Sequence, residues 1–150
     1  MSRLNIKPLS GCIGAEIHGI DLTKPVTHEL YIQLRECLVE YEVIFFRDQA
    51  ITPAQQHVLA SMFGPLQSHP AYQTVEGFPE ISILESTADK PTKIECWHSD
   101  MTFRQHPPLA TVLRAQVVPD KGGDTLWASM TAAYRGLSKS MQDFLSTLTA

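Results

Sequence analysis

Basic charge is scarce in this 150-residue chain, where 12 Lys and Arg stand against 16 Asp and Glu for a formal charge of -4. Without a basic footprint, binding to nucleic acid or to an anionic lipid surface is disfavoured. Long apolar runs are missing as well. A bilayer span takes roughly 20 apolar residues, and the tightest cluster, Val43 to Phe46, is stopped at once by Arg47 and Asp48. No membrane span is expected. The start, Met1-Ser2-Arg3-Leu4-Asn5, lacks a hydrophobic signal core, so a cytoplasmic location is expected. Cysteine is sparse: Cys12, Cys37 and Cys96 are odd in number and irregularly spaced, which suits reduced thiols rather than a secreted disulfide scaffold. There is no fixed-period repeat, no compositionally biased linker, no Gly-x-Ser-x-Gly elbow and no glycine-rich phosphate loop. These absences disfavour a solenoid, a serine hydrolase and a nucleotide-binding doubly wound sheet. What is present, 43% apolar and 19% charged residues, describes one ordinary globular domain with a single core.

Hydrophobic periodicity places the elements. Leu4 and Ile6 alternate with polar neighbours before Pro8, and Ala15-Glu16-Ile17-His18 alternates between Gly14 and Gly19, predicting two short strands. A helix follows: Thr27 can cap it, and Leu30, Leu34, Leu38 and Tyr41 recur on one face, which should pack on a sheet. Val43-Ile44-Phe45-Phe46 is continuous rather than alternating and predicts a strand buried on both sides. Thr52-Pro53-Ala54-Gln55 combines an N-cap, a first-turn proline and a capping-box glutamine, so a second helix should run from here to Gly64. Pro65, Pro70, Gly77 and Pro79 break up the next stretch and put His69 and Tyr72 on a loop. Ile81 and Ile83 suggest a strand, residues 97–103 are extended by composition, Leu109 to Ala115 is a further strand, and Gly122-Gly123-Asp124 turns into Thr125-Leu126-Trp127. A last helix begins at a Ser138 cap and carries Met141, Phe144, Leu145 and Leu148. The fold class is mainly β with attached helices (α+β).

His98-Ser99-Asp100 is the segment with most chemical content. On a strand, residues two apart share a face, so one imidazole and one carboxylate could reach the same ion. They would supply two of the three ligands of a two-histidine, one-carboxylate facial site, which leaves open metal positions for a bidentate keto acid and dioxygen. Taken alone, such a triplet is more often a surface hydrogen bond or a satisfied core histidine than a metal site. Zinc held by Cys96, His98 and either His69 or His106 is the alternative metal reading, with spacing unlike a structural zinc motif.

The neighbouring residues narrow this. Trp97-His98-Ser99-Asp100-Met101-Thr102-Phe103, then Pro107-Pro108 and Gly122-Gly123-Asp124-Thr125-Leu126-Trp127, resemble the taurine dioxygenase (TauD/TfdA) family of Fe(II)- and 2-oxoglutarate-dependent dioxygenases. The resemblance extends through Ile13-Gly14-Ala15-Glu16-Ile17, Gly19-Ile20-Asp21-Leu22, Phe46-Arg47-Asp48-Gln49, Ile51-Thr52-Pro53, Phe63-Gly64 and His69-Pro70. It implies a double-stranded β-helix (jelly roll), with His98 and Asp100 as iron ligands and Thr125 bound to the distal carboxylate of 2-oxoglutarate. His69, Tyr72 and Ile94 fall at substrate-contacting positions. Trp97, Phe103 and Trp127 are best taken as core or pocket wall. Taurine-using members carry asparagine where this chain has Ile94, and an apolar side chain cannot donate to a polar substrate group.

The implied activity is hydroxylation of a small organic substrate, taurine or a related sulfonate, with Fe(II), 2-oxoglutarate and O2, releasing succinate, CO2, sulfite and an aldehyde. An alkyl sulfate or carboxylate-bearing substrate stays open. The family's second histidine ligand and its 2-oxoglutarate arginine lie further along than this sequence reaches. None of His18, His28, His57, His69 and His106 stands in the matching context, nor do Arg104, Arg114 and Arg135. Residues 1–150 are therefore expected to be the N-terminal portion of one dioxygenase domain, with an incomplete barrel and no activity alone. A catalytically dead short chain kept as a binding or dimerising module is the other class, and a homo-oligomer is left open.

Overall fold

The computed structural model describes residues 4–92, 94 and 96–149. They fall into two compact units: one formed by residues up to 20, 28–48 and from 118, the other by residues 21–27 and 49–117.

In the first unit, β1 (Asn5–Pro8) pairs antiparallel with β2 (Ala15–His18), Ile6 opposite Ile17. Both strands lie where alternation placed them, and Ala15 and Ile17 point inward while Glu16 and His18 are only half-buried. The turn between the strands needs Gly14. Its φ of 88° disfavours a side chain, and an added Cβ would lie against Phe45 and Leu9. β3 (Ile44–Phe45) joins β2 in parallel, Ala15 beside Ile44, after the intervening helix α1 (His28–Tyr41). A parallel pair needs such a crossover. β3 was expected to be buried on both sides; instead it is a two-residue strand at the edge of its sheet among the described residues, and both residues are half-buried.

Helix α1 presents the predicted face: Leu34 and Cys37 are buried, Leu30, Leu38 and Tyr41 half-buried. Burial pushes the Cys37 thiol pKa up, and Glu40 and Glu36 add to this, so the thiol stays protonated and inert. All three cysteines are free. The helix ends at Glu42, whose left-handed φ of 63° turns the chain while its amide still donates to the Leu38 carbonyl. The Glu42 carboxylate accepts a hydrogen bond from Ser129 Oγ at 3.0 Å, and the same Ser129 oxygen caps the short helix α3 (Met130–Arg135) by accepting from the Ala132 amide. Sequence periodicity misses α3, which is too short for a pattern. Helix α4 (Lys139–Leu145) starts at Ser138, as expected.

The second unit begins with the segment around Leu22, whose amide donates to Gln49 Oε1 at 2.8 Å. Helix α2 (Pro53–Ser61) has the predicted capping box in full: Thr52 Oγ1 accepts from the Gln55 amide and Gln55 Oε1 accepts from the Thr52 amide. It ends at a Met62 cap, short of Gly64. Replacing Thr52 by alanine removes one side of this box and should cost about 1 kcal/mol, read as a fall of about 2–4 °C in thermal midpoint; an unchanged midpoint would refute the cap's contribution. Helix α2 packs on a hairpin formed by β4 (Thr74–Val75) and β5 (Phe78–Ser82), where His57 meets Glu80 at 3.6 Å and the Phe78 ring at 5.6 Å. Ile81 lies in β5; Ile83 lies just past it.

Three expected extended segments differ. Residues 97–103, 109–115 and 125–127 are in no ladder among the described residues; 100–103 form a turn. A β-branched run becomes a strand only when a neighbouring strand satisfies its backbone groups; among the described residues no strand pairs with Leu109 to Ala115, and the Val112 carbonyl instead accepts from Gln56 Nε2 at 3.1 Å. Trp97 and Phe103 are 70% and 69% exposed, so they form no core among the described residues, and Trp127 is exposed too. Strands and helices are both present as expected, but the strands are short and gather in one three-stranded and one two-stranded sheet.

Candidate metal centre

His98 and Asp100 lie in the second unit, on the approach to a turn and its first residue rather than on a strand. Met101 takes the strain of that turn with a φ of 57°, and the Arg104 amide closes it onto the Met101 carbonyl at 3.1 Å. The two residues face each other without a strand ladder among the described residues. His98 Nε2 lies 3.4 Å from Asp100 Oδ1, and both side chains are about half exposed.

The remaining atoms of the pair are tied down. His98 Nδ1 lies 2.9 Å from the Cys96 carbonyl oxygen, which can only accept, so the ring proton sits on Nδ1. In the neutral ring Nε2 then presents a lone pair, and the facing Asp100 oxygen presents another. Two electron-pair donors facing each other are reconciled by a shared proton or cation. The second carboxylate oxygen, Oδ2, accepts from Thr111 Oγ1 at 3.1 Å. Each ligand candidate thus has a supporting contact of the kind that orients metal ligands.

The donor set fits two of the three protein positions in a two-histidine, one-carboxylate site. Among the described residues, no group of three His, Cys, Asp or Glu side chains is gathered for a metal. Cys96 meets His98 through its carbonyl oxygen, which gives the zinc alternative no sulfur contact. Thr111 was not singled out from the sequence; nothing distinguishes it there from any β-branched residue in an apolar run. Replacing it by valine keeps the shape and removes the donor. Affinity of the full-length protein for Fe(II) should fall by about tenfold, measured by metal titration, and an unchanged affinity would remove Thr111 from the site.

His69 and Tyr72 belong to the same unit, and the structure brings them together. Their ring centroids are 4.5 Å apart, and the Phe103 ring meets His69 edge-on at 6.2 Å. His69 is half-buried rather than freely solvated, and its Nδ1 accepts from the Ala71 amide at 3.2 Å. The neutral ring therefore carries its proton on Nε2, as a donor. Phe103 thus serves as a wall beside His69. Ile94 is exposed at 59%, and its neighbours 93 and 95 lie outside the described residues. Thr125 lies in the first unit, exposed, after Gly122 and Gly123 with φ of 74° and 72°. No helix among the described residues is long and apolar enough to cross a membrane.

An imidazole and a carboxylate thus face each other at the start of a turn, in the same unit as the histidine and tyrosine loop, within a scaffold of short strands and helices. The chain belongs to the taurine catabolism dioxygenase TauD, TfdA family, whose sequence model matches residues 5–150. It is 34% identical to an alkylsulfatase of Acinetobacter baylyi, over 99% of this chain and 46% of that protein. It is 33% identical to an alpha-ketoglutarate-dependent sulfate ester dioxygenase of Pseudomonas putida, over 98% of this chain and 48% of that protein. A taurine dioxygenase structure from Burkholderia xenovorans superposes with a TM-score of 0.83 at 36% identity, covering 97% of this chain and 52% of that one. The chain spans about half the length of the curated relatives it matches.

Proposed function

We propose that this chain is the N-terminal portion of a jelly-roll, Fe(II)- and 2-oxoglutarate-dependent dioxygenase that oxidises a small sulfonate or sulfate ester. The observation that carries the proposal is the facing pair of lone-pair donors, His98 Nε2 and Asp100 Oδ1, each held by its own supporting contact. Fe(II) and 2-oxoglutarate, when bound, supply oxidation by dioxygen: the keto acid leaves as succinate and CO2, and one oxygen atom goes to a substrate carbon.

The chain's own residues hold and orient. His98 and Asp100 provide two protein ligands and leave adjacent positions to the cosubstrate, while the Cys96 carbonyl fixes the His98 tautomer. Thr125, which follows the double-glycine turn, would donate a charge-assisted hydrogen bond from its hydroxyl to the distal carboxylate of 2-oxoglutarate. His69 Nε2–H, free to point outward because Nδ1 is taken, donates to the oxyanion of the substrate, and Tyr72 stacks against it. Ile94 offers apolar contact only. That feature, with the relatives named for sulfate esters, favours an alkyl chain over the aminoethyl group of taurine.

The full-length protein should be supplied with Fe(II), 2-oxoglutarate and air, and offered taurine, hexanesulfonate, hexyl sulfate and 2-phenoxypropionate. Hydroxylation beside a sulfonate gives an aldehyde and sulfite; beside a sulfate ester it gives an aldehyde and inorganic sulfate. Succinate formed in step with sulfate or sulfite is the expected result. Succinate without either sulfur anion, but in step with phenol from 2-phenoxypropionate, would move the substrate to the carboxylates. No succinate from any of the four would overturn the enzyme in favour of a binding module.

A further inference from the structure

We infer that Arg104 is a positioning residue that clasps the loop carrying His69 and Tyr72 onto the segment carrying His98 and Asp100; the role of those four residues rests on the proposed function. Arg104 is the first residue past the turn that presents the metal pair. Its guanidinium donates from Nη2 to the Ser68 carbonyl at 2.8 Å, across 36 residues of sequence. A second tie runs the other way, from Gln67 Nε2 to the His106 carbonyl at 3.1 Å. Between them the Phe103 ring sets its edge against His69, with the Arg104 guanidinium 6.0 Å from the centre of that ring. Residues 67–69 and 103–106 are thus joined by two hydrogen bonds in opposite directions and one ring contact.

The consequence is geometric. The segment 66–73 contains Pro70 and has no strand ladder among the described residues, so beyond its local contacts with the Ala71 amide and the Tyr72 ring the His69 side chain takes its place from contacts with other segments. The contacts from the residues just after Asp100 are those of Phe103, Arg104 and His106, and Arg104 is the one among them that makes its tie with a charged side chain. A planar guanidinium with several donors in a fixed fork is suited to this. Its Nε is buried and finds no partner among the described residues, and Gln67 Oε1, an acceptor, is in the same condition. The seam therefore keeps one donor on one side and one acceptor on the other in reserve.

Arg104→Gln and Arg104→Lys in the full-length protein test this. For whichever of taurine, hexanesulfonate and hexyl sulfate is turned over, Arg104→Gln should raise KM about tenfold with kcat within about twofold of wild type. Arg104→Lys, which keeps a cationic donor for Ser68, should recover most of the loss. A second readout needs no turnover. In the metal-free protein, the His69 ring protons should carry ring-current shifts from Tyr72 and Phe103, and Arg104→Gln should move them toward free-histidine positions. An unchanged KM overturns the proposal, as does a fall in kcat as large as the rise in KM, the mark of a purely structural role. If the wild type turns over none of the three probes, the proposed function fails separately, and the His69 signals alone decide: unmoved signals overturn the clasp, moved signals support it.

Discussion

His98→Ala is expected to abolish 2-oxoglutarate-dependent succinate formation by the full-length protein and to weaken its Fe(II) affinity by more than about a hundredfold. The magnitude follows from comparison. Removing a group that only supports a metal ligand costs about 10–100-fold in affinity, and His98 is itself one of the two ligands proposed above. Its replacement also leaves Asp100 Oδ1 facing open space where Nε2 stood at 3.4 Å. The side chain is 54% exposed and has no packing role, so the variant should melt within about 1 °C of wild type. That separation makes the experiment decisive: lost turnover with intact folding supports the iron assignment. Unchanged turnover would sink it, and would return His98 and Asp100 to the status of a surface ion pair.

Leu34→Ala is the prediction with the largest effect on stability. Leu34 is the largest fully buried side chain among the described residues, at 1% exposure, and it lies in the middle of the apolar face of α1. Truncating such a leucine removes transferred apolar area and leaves a cavity, at a cost of about 2–5 kcal/mol. Against a total stability of about 5–15 kcal/mol that is a large fraction. A chain of this size loses about 2–4 °C per kcal/mol, so a fall of about 10 °C is expected in a thermal melt. Val39 is the internal control. It lies on the same helix but is 70% exposed, and Val39→Ala should change the midpoint by no more than about 2 °C. Equal shifts in the two variants would contradict the assignment of this face to the core.

The elements legible in the sequence are those fixed by local chemistry. The capping box at Thr52 and Gln55, the alternation around Ile17 and the four-residue spacing of Leu30, Leu34 and Leu38 each specify their structure within one segment, and each is found in place. The run from Leu109 to Ala115 fails for the opposite reason: its composition suits a strand, but a strand also needs a partner, which composition cannot supply. At the site, the family motif picks out His98 and Asp100, and residues two apart do face each other at 3.4 Å, although the segment is in no strand ladder among the described residues. The turn follows the pair: Asp100 is its first residue and Met101 takes the left-handed conformation. Thr111 and Arg104 stayed invisible because their roles arise from segments 11 and 36 residues away. Contacts at that separation leave no periodic trace.

The hydrogen bond from Ser129 to Glu42 also has a meaning in time. Its two residues are separated by 87 positions, and the whole segment 49–117 of the second unit is made between them. At about 5–20 residues added per second, the end of α1 waits about 4–17 seconds on the ribosome for the serine that ties it to α3. During that interval α2 and the β4–β5 hairpin emerge complete and can form first. The tie between Glu42 and Ser129 is therefore made only after the segment that lies between them in sequence.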